Sequence, residues 1–480
     1  MVNLRLSAFL SAVRAALFGC GGLLRKESFF AGLLFSVLVV VLFSSRARAD
    51  IFEPVAQVSL TQASFLSPEY NLTQKKNFQF IGAGFDTLSS PRADHDLENG
   101  LQAQISGMVA PDTAVLSYLD VKQLFWKQGF LSIGRKKQSW SYIDNNFSLG
   151  MYQPLFQWDP LLSQQQGLTG IFLTLDSPDT TVPWGFVAFG SPIFIPDQGA
   201  GYQIKDGQFE RSNPYFQAPP AFFVIRGQTD TADYNIQKPD TNAVVFNRSF
   251  AGKFYLGREE EGPYFQASFS NQPVNQLALG FQGFVTPNNS VDVEIQPQVY
   301  YHSLSSADAL YSLKSVVMGL SFLKENISAP TYDPKWTYVD YSSSNLVSPF
   351  VKVRLKNFNA TLSYLSVQGA AETIAGDLSD QSSNYLPHRY PFRSAYQAVV
   401  NYRFRIKASQ YVSLSTRYLQ GSLNEFALWT TQAAYQFRSN WAVNMTTQLV
   451  DVKDSAAGSL IAYQAYNNND AIAVGVSYVF

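Results

Sequence analysis

The chain ends in Ala471-Ile472-Ala473-Val474-Gly475-Val476-Ser477-Tyr478-Val479-Phe480. Ile472, Val474, Val476, Tyr478 and Phe480 share one parity, with Ala473, Gly475 and Ser477 on the other. Side chains alternate across a strand, so this spacing predicts a β-strand with one apolar face. The same alternation recurs upstream. Val351, Val353 and Leu355 oppose Lys352, Arg354 and Lys356; Tyr402, Phe404 and Ile406 oppose Arg403, Arg405 and Lys407; Val291, Val293 and Ile295 oppose Asp292, Glu294 and Gln296. No stretch after residue 50 holds a 3.6-residue apolar period over a dozen positions, so the chain reads as all-β. Alternation by itself fits either a two-layer sandwich or a closed barrel.

Composition narrows the choice. The 480 residues are 46% apolar, 15% aromatic and 15% charged, with 38 Phe, 26 Tyr and 7 Trp. A mean hydropathy of −0.07 excludes a bundle of membrane-spanning helices. A barrel with a lipid-facing outside and a wet lumen suits both facts. The apolar run 29–43 follows Arg25 and Lys26 and leads to Ala47-Arg48-Ala49 before Asp50. It is shorter than the roughly 20 residues of a spanning helix and carries an A-x-A site, so residues 1–49 read as a secretory signal with an extended n-region. The one cysteine, Cys20, lies inside that segment, so residues 50–480 offer no disulfide or thiolate chemistry. Those residues retain 29 basic and 35 acidic side chains, a net charge of −6, which argues against a nucleic-acid partner.

Connection lengths supply the topology. Counting back from Phe480, long and short links alternate, so that if the C-terminus is periplasmic every long link lies outside the cell. Trp126, Trp184, Trp429 and Trp441 fall near strand ends, where an interfacial aromatic girdle belongs. Candidate strands from 100–109 to 471–480 number eighteen, and include 243–249, 275–284, 291–302 and 311–323; Phe78 to Asp86 offers another. The fold expected is a transmembrane antiparallel β-barrel of 16 to 18 strands, taken as 18. Residues 50–99 are a periplasmic or lumenal segment or the first strand, and residues 100–480 the barrel. Its long loops are 138–167, 192–242, 324–347 and 369–394.

The closing strand, with its terminal aromatic, resembles that of Gram-negative outer-membrane β-barrels of the porin-like superfamily. The resemblance implies an outer-membrane location among lipid and lipopolysaccharide, insertion by the barrel assembly machinery, and a channel for small hydrophilic solutes. In porins an outer loop folds into the lumen, and the stretch 192–242 resembles such a loop. Asp197, Lys205, Asp206, Glu210, Arg211 and Arg226 are therefore the constriction candidates. The loop 138–167, with Trp140, Asp144, Trp158 and Asp159 after Ile133-Gly134-Arg135-Lys136, looks like patterns of specific porins and export channels.

Lumen parity nominates Lys352, Arg354, Arg403 and Arg417 as a basic wall facing Asp292 and Glu294, a transverse field that favours anions. Arg405 and Lys407 read instead as snorkelling at the periplasmic rim. Two other functions stay open: a fatty-acid-transporter-like channel with residues 50–99 as a hatch, though that family's Asn-Pro-Ala element is missing, and a structural or adhesive barrel without conductance. The histidines, His95, His302 and His388, sit in no catalytic or metal motif, so no enzyme, cofactor or metal is expected. Oligomeric state has no marker in the sequence.

Overall fold

The computed structural model describes residues 55–480 apart from 67–76, 89–98, 178–181, 211, 217, 220, 226, 239, 288–289, 329–334, 371, 375–388, 408–409, 422–425, 439, 453–465 and 467–468. The leader, His95 and His388 lie outside the described residues. Eighteen strands form one sheet. They are β1 (Val55–Phe65), β2 (Asn77–Asp86), β3 (Asn99–Val109), β4 (Tyr118–Gln128), β5 (Leu131–Lys136) and β6 (Leu168–Ser177). Next come β7 (Trp184–Ser191), β8 (Ser249–Arg258), β9 (Glu261–Pro273), β10 (Tyr301–Leu313), β11 (Val316–Ser328) and β12 (Ser344–Leu355). The last six are β13 (Phe358–Gly369), β14 (Ser394–Lys407), β15 (Gln410–Gly421), β16 (Phe426–Arg438), β17 (Trp441–Val452) and β18 (Ala471–Val479).

Each strand pairs antiparallel with its chain neighbour, and β18 returns to β1 with Gln57 opposite Val479 and Phe65 opposite Ala471. The sheet is closed and has no free edge, which is what a strand-built structure needs in hydrocarbon. Pairs β4–β5, β8–β9, β10–β11, β12–β13, β14–β15 and β16–β17 are separated by two residues each, all at one end of the barrel. Both termini of the sheet lie at that end, and the long connections lie at the other.

Parity decides which face meets lipid. Leu60, Leu320, Leu362, Tyr396, Phe404, Trp429 and Val474 are exposed and share the outward parity of their strands. Trp126, Trp184, Trp429 and Trp441 are exposed on the same outer surface. Among the described residues no helix is long and apolar enough to cross a membrane.

The strand number stands at eighteen, but its members differ from the sequence reading. Residues 55–65 and 77–86 form β1 and β2 in the wall, as the first-strand alternative for 50–99 and the extra candidate Phe78 to Asp86 allowed, so these residues do not form the hatch of the rival reading. The candidate 311–323 straddles the turn between β10 and β11. The candidate 243–249 begins instead as the short helix Thr241–Val245. Candidates 275–284 and 291–302 fall largely in strands Ala278–Val285 and Ser290–Gln298, which join Phe222–Ile225 and Gln228–Ile236 in a separate four-stranded sheet. The reason is that period 2 reports a half-buried strand, not what buries it. Val291, Val293 and Ile295 pack on Ala232 and Tyr234 rather than facing lipid.

Candidate functional site

The long connection between β5 and β6, residues 137–167, turns into the barrel and carries the one-and-a-half-turn helix α1 (Tyr142–Phe147). A helix of six residues is not stable alone in water. It is held by its own turn and by the wall. Ser148 closes α1 in the left-handed conformation and donates its amide to the Asp144 carbonyl at 2.9 Å. The Asp144 carboxylate accepts the Met151 and Tyr152 amides at 3.0 Å each, which folds the loop back on itself.

Wall side chains from distant strands then grip the loop backbone. Gln266 Nε2 and Ser268 Oγ on β9 donate to the Trp140 carbonyl at 2.8 Å. Lys253 Nζ on β8 donates to the Ser139 carbonyl at 3.0 Å. Gln272 Nε2 reaches the Tyr152 carbonyl at 2.8 Å, and Gln397 Nε2 on β14 the Asn146 carbonyl at 2.6 Å. On the far side Gln448 of β17 donates to Asp159. The loop therefore crosses the lumen and is clamped on both sides.

Burial raises the Asp144 carboxyl against the pull of its two amides. Burial also lifts Asp159 to about 6, opposed by the Gln448 amide and the Leu161 and Leu162 backbone. Asp197 rises to about 7 by desolvation, although the Leu155 amide donates to it at 2.6 Å.

The loop that crosses the lumen is therefore 137–167, and the stretch read as the constriction, 192–242, packs against it. Of the candidates in the latter stretch, Asp197 touches the inward loop through Leu155, while Lys205 and Asp206 are exposed on a small hairpin of Ile204–Lys205 with Gln208–Phe209. Glu210 follows that hairpin, its amide bonded to the Gln203 carbonyl at 2.8 Å. Arg211 and Arg226 lie outside the described residues. The stretch serves as a cover: Tyr215 packs against Phe65 of β1 at 5.6 Å and against Trp158 of the inward loop at 4.9 Å.

Lys352, Arg354, Arg403 and Arg417 occupy inward positions on β12, β14 and β15, as parity predicts. Lys352 Nζ lies 4.3 Å over the Tyr142 ring of α1, so it stands at the edge of the inward loop. Arg354 pairs with Glu259 at 2.5 Å. Arg403 lies 4.3 Å over the Tyr411 ring, and Arg417 Nε donates to Gln397 at 2.8 Å. Asp292 and Glu294 are not on the wall; they belong to the separate sheet, where Glu294 accepts from Gln237 at 3.0 Å. The acid that meets this basic wall is Glu259 in the β8–β9 turn, through Arg354, while Asp308 on β10 and Asp176 on β6 are further inward acids. Across β12 to β17 the inward positions carry no carboxylate.

A space of about 560 Å³ opens beside Asn401, Arg403, Ser415, Gln432 and Asn444 at the short-loop end. A second, of about 690 Å³, opens beside Lys136, Asp176, Lys253, Tyr255, Glu259 and Tyr264. The second borders the inward loop at Gln138.

A feature that the sequence reading passed over sits at the long-loop end. Glu325 on β11 is fully buried and meets His302 Nδ1 of β10 at 2.6 Å and Arg389 Nη2 at 2.7 Å. Tyr390 donates its hydroxyl to the same carboxylate, and Arg389 Nη2 also reaches Met151 Sδ at 3.2 Å. Arg389 and Tyr390 are thereby tied to the wall, and Arg389 to the inward loop as well. A lone acid at an inward strand position was the only trace of it in the sequence.

A closed eighteen-strand ladder, an apolar outer belt and a loop folded across a polar lumen now stand together. The fold is a closed antiparallel β-barrel with the apolar outer face of a membrane-spanning one. No protein-family model and no curated protein matches the sequence. Among solved structures the chain is similar to OccAB4 of Acinetobacter baumannii, at 12% identity and a TM-score of 0.38, covering 90% of this chain and 99% of that one. It is similar to Wzi of Escherichia coli, a carbohydrate-binding β-barrel of group 1 capsule assembly, at 12% identity and 0.41, covering 92% and 87%. It is also similar to OccK11 (OpdR) of Pseudomonas aeruginosa, at 10% identity and 0.40, covering 90% and 97%.

Proposed function

We propose that the porin-like barrel is an outer-membrane channel for small hydrophilic solutes with a preference for anions. The observation that carries this is the charge distribution of the lumen. The inward face of β12 to β17 holds Lys352, Arg354, Arg403 and Arg417 without an acid, and the carboxylates stand on the other side. In a narrow, partly dehydrated lumen such an arrangement raises the local concentration of anions. Transport rather than catalysis is the role proposed, and the partners are the outer-membrane lipids, the assembly machinery and the solutes themselves.

Reversal potentials across a planar bilayer under a salt gradient test the preference. Anion selectivity is expected, and cation selectivity refutes it. A second reading, a structural surface barrel without conductance, is favoured by one observation: the long-loop half of the lumen is packed with apolar side chains. Single-channel recording separates the two.

A further inference from the structure

Inward positions of a water-filled barrel are normally polar. Six here are leucine: Leu304 on β10, Leu323 on β11, Leu346 on β12, Leu365 on β13, Leu419 on β15 and Leu428 on β16, each 0% exposed. The register makes them an arc. Leu323 stands opposite Leu346 and Leu419 opposite Leu428, while Ala395 of β14 bridges from Leu365. Ile143, Phe147 and Met151 of the inward loop and Phe392 complete this core.

One inward step toward the short-loop end the chemistry changes. Leu346 gives way to Ser348 and Leu365 to Ser363, with Gln397 beside them on β14. The hydroxyls of Ser348 and Ser363 are buried and find no partner among the described residues, and the same holds for Ser141 Oγ and Asn146 Nδ2 in and next to α1. Buried polar atoms are satisfied by protein or by water, and unpaired ones gathered on both sides of one interface mark a hydrated seam. Below the seam on β13 and β14 lie Thr361, Asn359 and Asn401, which open to the vestibule, while on β12 the next inward residue, Phe350, is buried against Tyr142.

We propose that the leucine arc is the permeation barrier of this barrel. Water and small solutes entering from the short-loop vestibule reach Ser348 and Ser363 and stop at Leu346 and Leu365, and passage requires the inward loop to leave the arc. An apolar constriction excludes ions because it cannot replace their hydration. The barrier is a property of the packing; its use as a gate rests on the channel reading.

Residues 50–480 contain no cysteine, so single thiols report without background. Ser348→Cys, Leu346→Cys, Ser363→Cys and Leu365→Cys are each made in the full barrel, with Asn401→Cys as the vestibule reference. Heat-modifiable gel migration shows which variants fold, and the two pairs on different strands keep the test open if one member fails. The probe is a small anionic methanethiosulfonate. The serine positions are expected to label at least tenfold faster than the leucine positions two residues away. Equal rates within a pair, or no labelling at the serines while Asn401→Cys reacts, overturns the barrier. Failure of the channel reading appears separately, as silent bilayers with the labelling boundary intact.

Discussion

Glu325 shows how much one residue carries. Its carboxylate is fully buried, and His302, Arg389, Tyr390 and Ser344 surround it. A buried ion pair gains little over an apolar replacement, but removing one partner strands the other charge at a cost of about 3–5 kcal/mol. Glu325→Gln is therefore expected to lower the thermal midpoint of the barrel sharply and to expose residues 389–393 to protease. Replacing both Glu325 and Arg389 by apolar residues should cost less than either change alone; a double-mutant cycle measures this, and strict additivity counts against the latch. At the basic wall, Lys352→Glu reverses a charge at the loop edge. It is expected to move the reversal potential toward cation preference, whereas Lys324→Glu, at an exposed outward position, should leave it unchanged.

At the scale of the element, the inward loop is a piece of chain that cannot hold its own shape. Asp144, Asp159 and Asp197 organise it, and each has its carboxyl raised, chiefly by burial. An undocked aspartate titrates near the ordinary value of about 3.9. Between there and pH 6 to 7 the docked loop binds more protons than the undocked one, so docking is strongest below this window and weakens as pH rises through it. Emission from Trp140 and Trp158, on the loop, should shift to the red between pH 5 and pH 8. Asp197→Asn, which removes the carboxyl that burial raises to about 7, should flatten the upper part of that curve. A shift in the opposite direction contradicts the assignment. Packing sets the loop as well: Gly319 on β11 leaves room for the Phe350 ring, which stacks on Tyr142 at 5.3 Å.

At the scale of the molecule, closure is the condition for stability in lipid. β18 supplies two ladders, to β17 and to β1, and Trp441, Tyr478 and Phe480 form a chain of ring contacts at 5.0 and 4.9 Å at the short-loop end. Deleting 471–480 leaves two open edges with unpaired amides and carbonyls, each costly in hydrocarbon. The expected outcome is loss of the heat-modifiable folded band in gel electrophoresis, whereas Phe480→Leu, which keeps an apolar end, should retain it. Charge also acts at this scale, since the basic and acidic walls meet only once the sheet has closed.

The sequence by itself determined the class of the molecule. Alternation at Val351–Lys356 and at Ile472–Phe480 named the outward and inward faces, because the two-residue period of a strand is a local property. It placed Lys352, Arg354, Arg403 and Arg417 on the lumen side for the same reason. It also implied an even number of strands, since the two-residue links fall on one end. Tertiary structure decided what each strand packs against. Asp292 and Glu294 alternate as cleanly as any wall strand, yet their apolar partners are buried by another hairpin. Only the closed sheet could choose the constriction, because the loop 137–167 is held by Gln266, Gln397 and Gln448, residues more than a hundred positions away. A loop has no period to read, and its place depends on the volume and hydrogen-bonding groups left inside once eighteen strands have met.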